Sequence, residues 1–272
     1  MVTVSILDRL GLMTTEPSDS RIATESDANA GSLEQAVHSS SAEVLLAAAA
    51  DPGLSEDLAL ALLKRPDLPS EVIEQLNKSS ALKKSRKVKL AVVSHPKTPR
   101  HISLPMVRHL FTFDLMQVAL TPIVPADLKL AADDALVSRL ETISMGEKLS
   151  LARRASGRVA GALVLDPELR VMKAALDNSR LTESSIVKAI MKPATSAAFV
   201  DAVSRHPKWC LRHEVKIALL RNEKTPAARA VEVARGFPPA QLRAILESSH
   251  LPASTKSCLL QALKERTQKP AS

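Results

Sequence analysis

Tyrosine is absent from this sequence, and one Trp (Trp209) with four Phe brings the aromatic content to only 2%. Strand-rich sandwiches and barrels draw on aromatic and β-branched side chains, so this shortage argues against both. Glycine is scarce as well: seven in 272 residues, with no P-loop and no G-x-G-x-x-G spacing to cradle a phosphate. Two distant cysteines, Cys210 and Cys258, exclude a disulfide scaffold and a cysteine zinc cluster, and they fit a reducing compartment. Apolar runs are short. The longest, such as Val44–Ala50, span about seven residues, against roughly 20 for a membrane-crossing helix. Met1–Leu12 has no basic n-region of a secretory signal. The expectation is a soluble cytoplasmic protein with no membrane segment.

What the chain does contain is helical periodicity. Leu169, Met172 and Leu176 are spaced i, i+3, i+7; Ile102, Met106 and Leu110 are spaced i, i+4, i+8; Leu211, Val215 and Ala218 follow the same rule. Alternation over six residues or more is rare, so the reading is all-α. The breaks between helices repeat. Pro66-Asp67-Leu68-Pro69 recurs as Pro96-Lys97-Thr98-Pro99 and Pro122-Ile123-Val124-Pro125, then with one proline as Glu223-Lys224-Thr225-Pro226 and Ser249-His250-Leu251-Pro252, and with none as Ser179-Arg180-Leu181-Thr182. The first Pro stops one helix; the second suits the N1 position of the next, and Thr98 and Thr225 suit its N-cap. Ser144-Met145-Gly146-Glu147 has the pattern of a capping box. The anchors at 69, 99, 125, 182, 226 and 252 are separated by 30, 26, 57, 44 and 26 residues, with further helix starts expected at Ser144 and Pro207 inside the long gaps. A helix-turn-helix unit that stacks on its neighbours explains this spacing.

Leu62–Pro69, Val92–Pro99, Asp166–Arg170 and Ala218–Pro226 resemble the repeat units of bacterial HEAT-like and leucine-rich-repeat-variant proteins, across about residues 54–266. The resemblance implies a right-handed α-solenoid of short stacked helices and is silent on ligand. The irregular period, Pro105 within an expected helix and the missing cluster-binding cysteines depart from those families. HEAT-like alkylpurine DNA glycosylases share the architecture but rest on Trp, Asp and Arg in a groove, and this chain has one Trp.

The net charge of +8 is a difference between two opposed parts. Residues 1–60 carry two basic and ten acidic side chains, and residues 61–272 carry 35 and 19. Residues 1–42 are read as an acidic, largely disordered leader, compatible with a short amphipathic helix at 2–12, followed by a single helical repeat domain over 43–268. The acidic part could fold back on the basic body and compete with an anionic partner. Basic residues concentrate at Lys83, Lys84, Arg86, Lys87 and Lys89, with Arg100 and Arg108 nearby, and again at Arg153 and Arg154 and at Arg212 and Lys216. Cations at the start of a helix oppose its dipole, which favours an anionic partner for the first group. In a repeat stack such positions align into a stripe able to bind a phosphate backbone; a solvated basic face is the plainer alternative.

No catalytic, metal or cofactor motif is present. His95 and His206 precede Pro and are read as helix C-caps. Cys210 with His213 at i+3 is the one nucleophile-base spacing, and Asp127, Asp133 and Asp134 form the one acidic island; packing and solvation account for them more simply. Cys258 and most of the aromatics are expected in the core. The function expected is therefore a non-enzymatic α-solenoid scaffold or adaptor binding a protein or peptide partner, with no cofactor. The alternative is a salt-sensitive nucleic-acid-associated solenoid. Oligomeric state is left open.

Overall fold

The computed structural model describes residues 32–80 and 82–268, and every regular element among them is helical. The leader expected over 1–42 therefore lies outside the described residues as far as 31, including its helix at 2–12. Within its last part, residues 32–37 form α1, with Leu33 and Val37 buried at i and i+4. Two apolar anchors one turn apart are enough to dock this stretch, which its polar composition disguised.

The chain divides into two compact units, one ending at Val92 and the other beginning at Val93. In the N-terminal unit, α2 (Ala42–Ala50) packs on α4 (Ser70–Lys78), α3 (Glu56–Leu63) lies between them in sequence, and a 3-10 turn, Leu82–Lys84, follows. Helix α5 (Arg86–Ser94) runs across the division. Leu45, Leu62, Leu68, Ile73 and Leu76 are fully buried.

The C-terminal unit holds α6 (Arg100–Val107), α7 (Thr112–Leu120), α8 (Ala126–Ser138), α9 (Met145–Arg154), α10 (Gly157–Leu163), α11 (Leu169–Leu176), α12 (Glu183–Ile190), α13 (Ala197–Arg205), α14 (His213–Arg221), α15 (Ala227–Ala234), α16 (Pro239–Glu247) and α17 (Ala253–Gln268). Its packing order is that of a helical repeat. Each even helix from α6 to α16 packs on the next even one; α9, α11 and α13 do the same on the other side, as do α15 and α17. Two layers of helices thus enclose a core of Leu115, Leu128, Leu136, Leu151, Leu163, Val171, Ile186, Phe199, Trp209 and Leu219. Further along, Leu220, Phe237, Leu242, Ile245 and Leu263 continue it.

Turn chemistry holds the repeats in register. The side chain opening a turn accepts the backbone N–H two residues on: Asp51 from Gly53 at 2.7 Å, His95 Nδ1 from Lys97 at 3.2 Å, Asp166 from Glu168 at 2.9 Å, Asn178 from Arg180 at 2.8 Å, His206 Nδ1 from Lys208 at 3.2 Å, Asn222 from Lys224 at 2.8 Å, and Ser249 from Leu251 at 3.1 Å. These are Asx-type turns, with imidazole standing in for the carboxamide at two of them. His95 and His206 thus serve the turn as acceptors through Nδ1.

The same turns reach one repeat back to carbonyls near the end of an earlier helix, which has no intrahelical donor for its last four. Arg65 Nη1 donates to the carbonyls of Val37 and Ser39 at 2.8 and 2.7 Å in the N-terminal unit. In the C-terminal unit Arg139 donates to those of Leu110 and Arg108, Asn178 to those of Ala152 and Ala155, Trp209 to that of Leu176, Asn222 to that of Ile190, and Ser249 to that of Leu220. The donors lie 23 to 33 residues after their acceptors, which is the spacing of the proline turns.

The prolines act one position earlier than expected. Pro69, Pro99, Pro125 and Pro226 are N-caps, with φ between −57° and −62° and extended ψ, not N1 residues. Thr225 sits outside the cap and gives its hydroxyl to the Leu219 carbonyl at 2.6 Å, closing the preceding helix instead. Hydroxyl caps occur where proline is missing, at Ser55, Ser156, Thr182 and Ser196, and Ser144 with Glu147 forms the full capping box. The start expected at Pro207 is replaced by starts after Ser196 and Arg212.

Candidate functional site

The basic residues separate into engaged and available ones. Among the candidates of the N-terminal unit, Lys83, Lys84, Arg86 and Lys87 are exposed and Lys89 is half-buried, and Lys87 lies 3.5 Å from Glu56. In the C-terminal unit Arg100 pairs with Asp127 at 2.7 Å. Arg108, Arg153, Arg154 and Arg212 are exposed and Lys216 half-buried, and none of these five has a carboxylate partner among the described residues. Several bases outside the candidate set hold the fold: Arg65 and Arg139 cap helix ends, Arg180 reaches the Arg154 carbonyl at 3.2 Å, and Lys224 that of Thr195 at 2.7 Å.

Arg108 is a candidate that stands at a concavity. Between helices α6 and α8 lies a groove of about 820 Å³ lined by Leu104, Pro105, Arg108, His109, Ala131, Asp134, Ala135, Ser138 and Arg139. The sequence explains its shape. Leu128, Ala132 and Leu136 on α8 are buried, so Ala131, Ala135 and Ser138, at i, i+4 and i+7, flank that stripe with small side chains. On α6, Ile102, Ser103 and Val107 are buried, which turns Leu104 and Arg108 outward, with Leu104 left 38% exposed. The rim carries the exposed guanidinium of Arg108 with His109 exposed beside it, while the one acid, Asp134, is held by Arg158 at 2.5 Å. Sequence reasoning picked out Arg108 but not the groove. The usable signal was apolar Leu104 standing off the buried stripe of its helix.

A second, smaller groove of about 460 Å³ lies between α11 and α13, with Leu169, Leu176, Ala198 and Ala202 among its lining. Its polar groups satisfy one another: His206 Nε2 faces Asp177 at 3.1 Å, and Arg205 pairs with Asp201 at 2.9 Å.

The acidic island resolves into three ties between helices. Asp127 pairs with Arg100 of α6, Asp134 with Arg158 of α10, and Asp133 accepts from the Ser156 hydroxyl at 2.7 Å. Burial pushes the Asp133 carboxyl above its ordinary range; the Ser156 hydrogen bond and Arg158 oppose this without cancelling it, and Asp134 adds to it. A raised folded-state pKa means the native state holds the proton more tightly, so stability is lost as pH rises from about 3.8 through the shifted value. An asparagine in place of Asp133 would still accept from Ser156. The expected outcome is that D133N exceeds the wild type in denaturant midpoint at pH 7 and that the gap closes toward pH 4; a pH-independent gap would contradict it.

No hydrogen bond joins Cys210 to His213. His213 instead contacts Gln241 at 3.3 Å and stacks on Phe237 with ring centroids 5.4 Å apart. Cys258 is exposed, not core, because α17 buries Thr255, Leu259 and Leu263 at i, i+4 and i+8. The aromatics divide similarly: Phe199, Phe237 and Trp209 are buried, whereas Phe111 and Phe113 are exposed. Among the described residues no three His, Cys, Asp or Glu side chains are grouped to hold a metal ion, and no helix is long and apolar enough to cross a membrane.

Comparison with protein-family models, curated proteins and solved structures finds no match. The reading of function rests on the residues themselves. Trp209, the residue a glycosylase-like groove would need, is buried, bonded through Nε1 to the Leu176 carbonyl and covered by Lys208, whose Nζ lies 4.1 Å from the ring centroid.

Proposed function

We propose that this chain is a non-enzymatic helical-repeat scaffold or adaptor of the α-solenoid type, cytoplasmic and bacterial like the HEAT-like and leucine-rich-variant proteins it resembles, and that it binds a protein or peptide partner. The α6–α8 groove carries the reading: it combines an apolar floor with an exposed guanidinium, and it lies on the face of a stacked repeat. Repeat proteins use such faces as binding surfaces. A photo-crosslinking amino acid placed at Ser138 in the groove, and at exposed Leu260 on α17 as a control, tests it in the producing cell. The expected result is a protein adduct at 138 and none at 260. Absence of an adduct at 138, or adducts only to nucleic acid, would overturn it.

A second reading, nucleic-acid association, is favoured by the exposed cations Lys83, Lys84 and Lys87 and by Arg153, Arg154 and Arg212. Binding to generic duplex DNA or RNA should then weaken by at least about tenfold between 50 and 200 mM salt. Affinity that stays flat across that range would remove this reading.

A further inference from the structure

We infer that the α6–α8 groove takes a helix, and that this helix is amphipathic with an acidic polar face. The inference rests on the adaptor reading and goes further by stating what the groove recognises.

Peptides are recognised in a small number of physical modes. Strand addition needs an open sheet edge, and the described residues contain no strand. Recognition of a polyproline segment needs an aromatic-lined groove, and this lining has no Phe or Trp. Capture of a phosphate needs several convergent guanidiniums. Here Arg139 commits both terminal nitrogens to the carbonyls of Leu110 and Arg108, which leaves Arg108 as the one lining guanidinium with its donors uncommitted. Of the modes that read side chains along a peptide, the one left is a helix laid in a groove. The geometry suits it. Ala131, Ala135 and Ser138 run straight along α8 for about 10 Å, or two helical turns, at 1.5 Å per residue. Small side chains there allow a third helix to approach closely, with Leu104 and Pro105 forming the opposite wall. A nucleic-acid backbone gains nothing from that apolar floor.

The charge of the occupant follows from the rim. Arg108 has no carboxylate partner among the described residues, His109 is exposed, and the only acid in the lining is neutralised by Arg158. A basic helix would meet uncompensated repulsion; an acidic one supplies what the rim lacks.

The test is a phage-displayed library of 16-residue peptides on a fixed helical frame, randomised at i, i+3, i+4, i+7 and at the flanking polar positions, and selected on the full-length chain. Enriched peptides are synthesised with a fluorophore, and their binding is followed by anisotropy. They should carry apolar residues at the anchor positions and Asp or Glu beside them. Arg108→Glu, which reverses the rim charge, and Ser138→Trp, which occludes the groove from an exposed position, should each weaken binding by at least about tenfold. Exposed Arg243→Glu on α16 should leave it unchanged. Thermal melts of the variants show that each is folded. If selected peptides are neutral or basic, or if acidic ones ignore both groove substitutions, this inference fails and the adaptor reading stands. If no peptide is enriched, this inference fails, and the crosslink at Ser138 decides the adaptor reading separately. If Arg108→Glu and Ser138→Trp instead release duplex DNA or a second copy of the chain, the groove serves that occupant and the proposal is overturned.

Discussion

Replacing Gly157 by alanine will lower the stability of the C-terminal unit by about 3 kcal/mol, the reverse of the usual gain from removing a helical glycine. Gly157 is the first residue of α10, after the Ser156 N-cap. A Cβ at this position would stand closer than 3.0 Å to the Arg180 carbonyl oxygen and 3.3 Å from its carbon. Both atoms are backbone, in the turn that leads into α12, and α12 packs on α10. No rotamer change relieves the clash; the turn itself must move. Glycine is therefore required for close approach, not for a positive φ. Gly161, one turn further along the same helix, supplies the contrast. Its Cβ would meet Ser185 at 3.5 and 3.6 Å, ordinary van der Waals distances. Gly161→Ala should stabilise by roughly 0.5–1 kcal/mol, mainly by restricting the unfolded chain. Thermal unfolding separates the two by sign: a fall of roughly 10 °C for G157A and a rise of a few degrees for G161A. Equal shifts in one direction would mean that the approach of the Arg180 turn to α10 is not what the site depends on.

The helices of this chain could be read from local pattern even where one member of a stripe was misplaced: of Leu169, Met172 and Leu176, the last two are buried and Leu169 is 45% exposed. The proline turns were legible for the same reason. Their exact phase was not, since N-cap and N1 differ by one residue and the choice depends on which carbonyl closes the helix before, as Thr225 does for Leu219. The carbonyl-capping ladder left no local trace at all. Asn178 looks like any turn asparagine until Ala152 and Ala155 are placed beside it. Charge behaved in the same way. Arg65, Arg108, Arg139 and Arg180 are alike in sequence, and only packing divides the three that hold carbonyls from the one that faces a groove. The candidate basic set thus named residues without their place, and Ala131 and Ala135 could not be recognised as a groove wall before α6 was packed against α8.

Asn178→Asp should be the most damaging isosteric change in the ladder, and acid should partly repair it. The side chain is 1% exposed. Its Oδ1 accepts from the Arg180 N–H at 2.8 Å, and its Nδ2 donates to the Ala152 carbonyl at 2.8 Å and the Ala155 carbonyl at 3.2 Å. Aspartate keeps the first bond but turns an oxygen toward two carbonyl oxygens. Two hydrogen bonds are lost, two acceptors are stranded and a charge is buried without a counter-ion, a cost of about 3–5 kcal/mol at pH 7. A protonated carboxyl restores one donor to those carbonyls, so the native state of the variant binds a proton more tightly than the unfolded chain does. Its stability should then rise as pH falls from 7 toward the ordinary aspartate range. Asn178→Ala removes the donor without adding charge; it should cost about 2–3 kcal/mol, with the same pH dependence as the wild type. Denaturant unfolding of both variants at pH 7 and pH 5 distinguishes the cases. If N178D and N178A lose equal stability at both values, Asn178 is merely filling space in its turn. If the N178D deficit shrinks in acid while that of N178A does not, donation across the α9–α11 joint is what holds this pair of repeats in register.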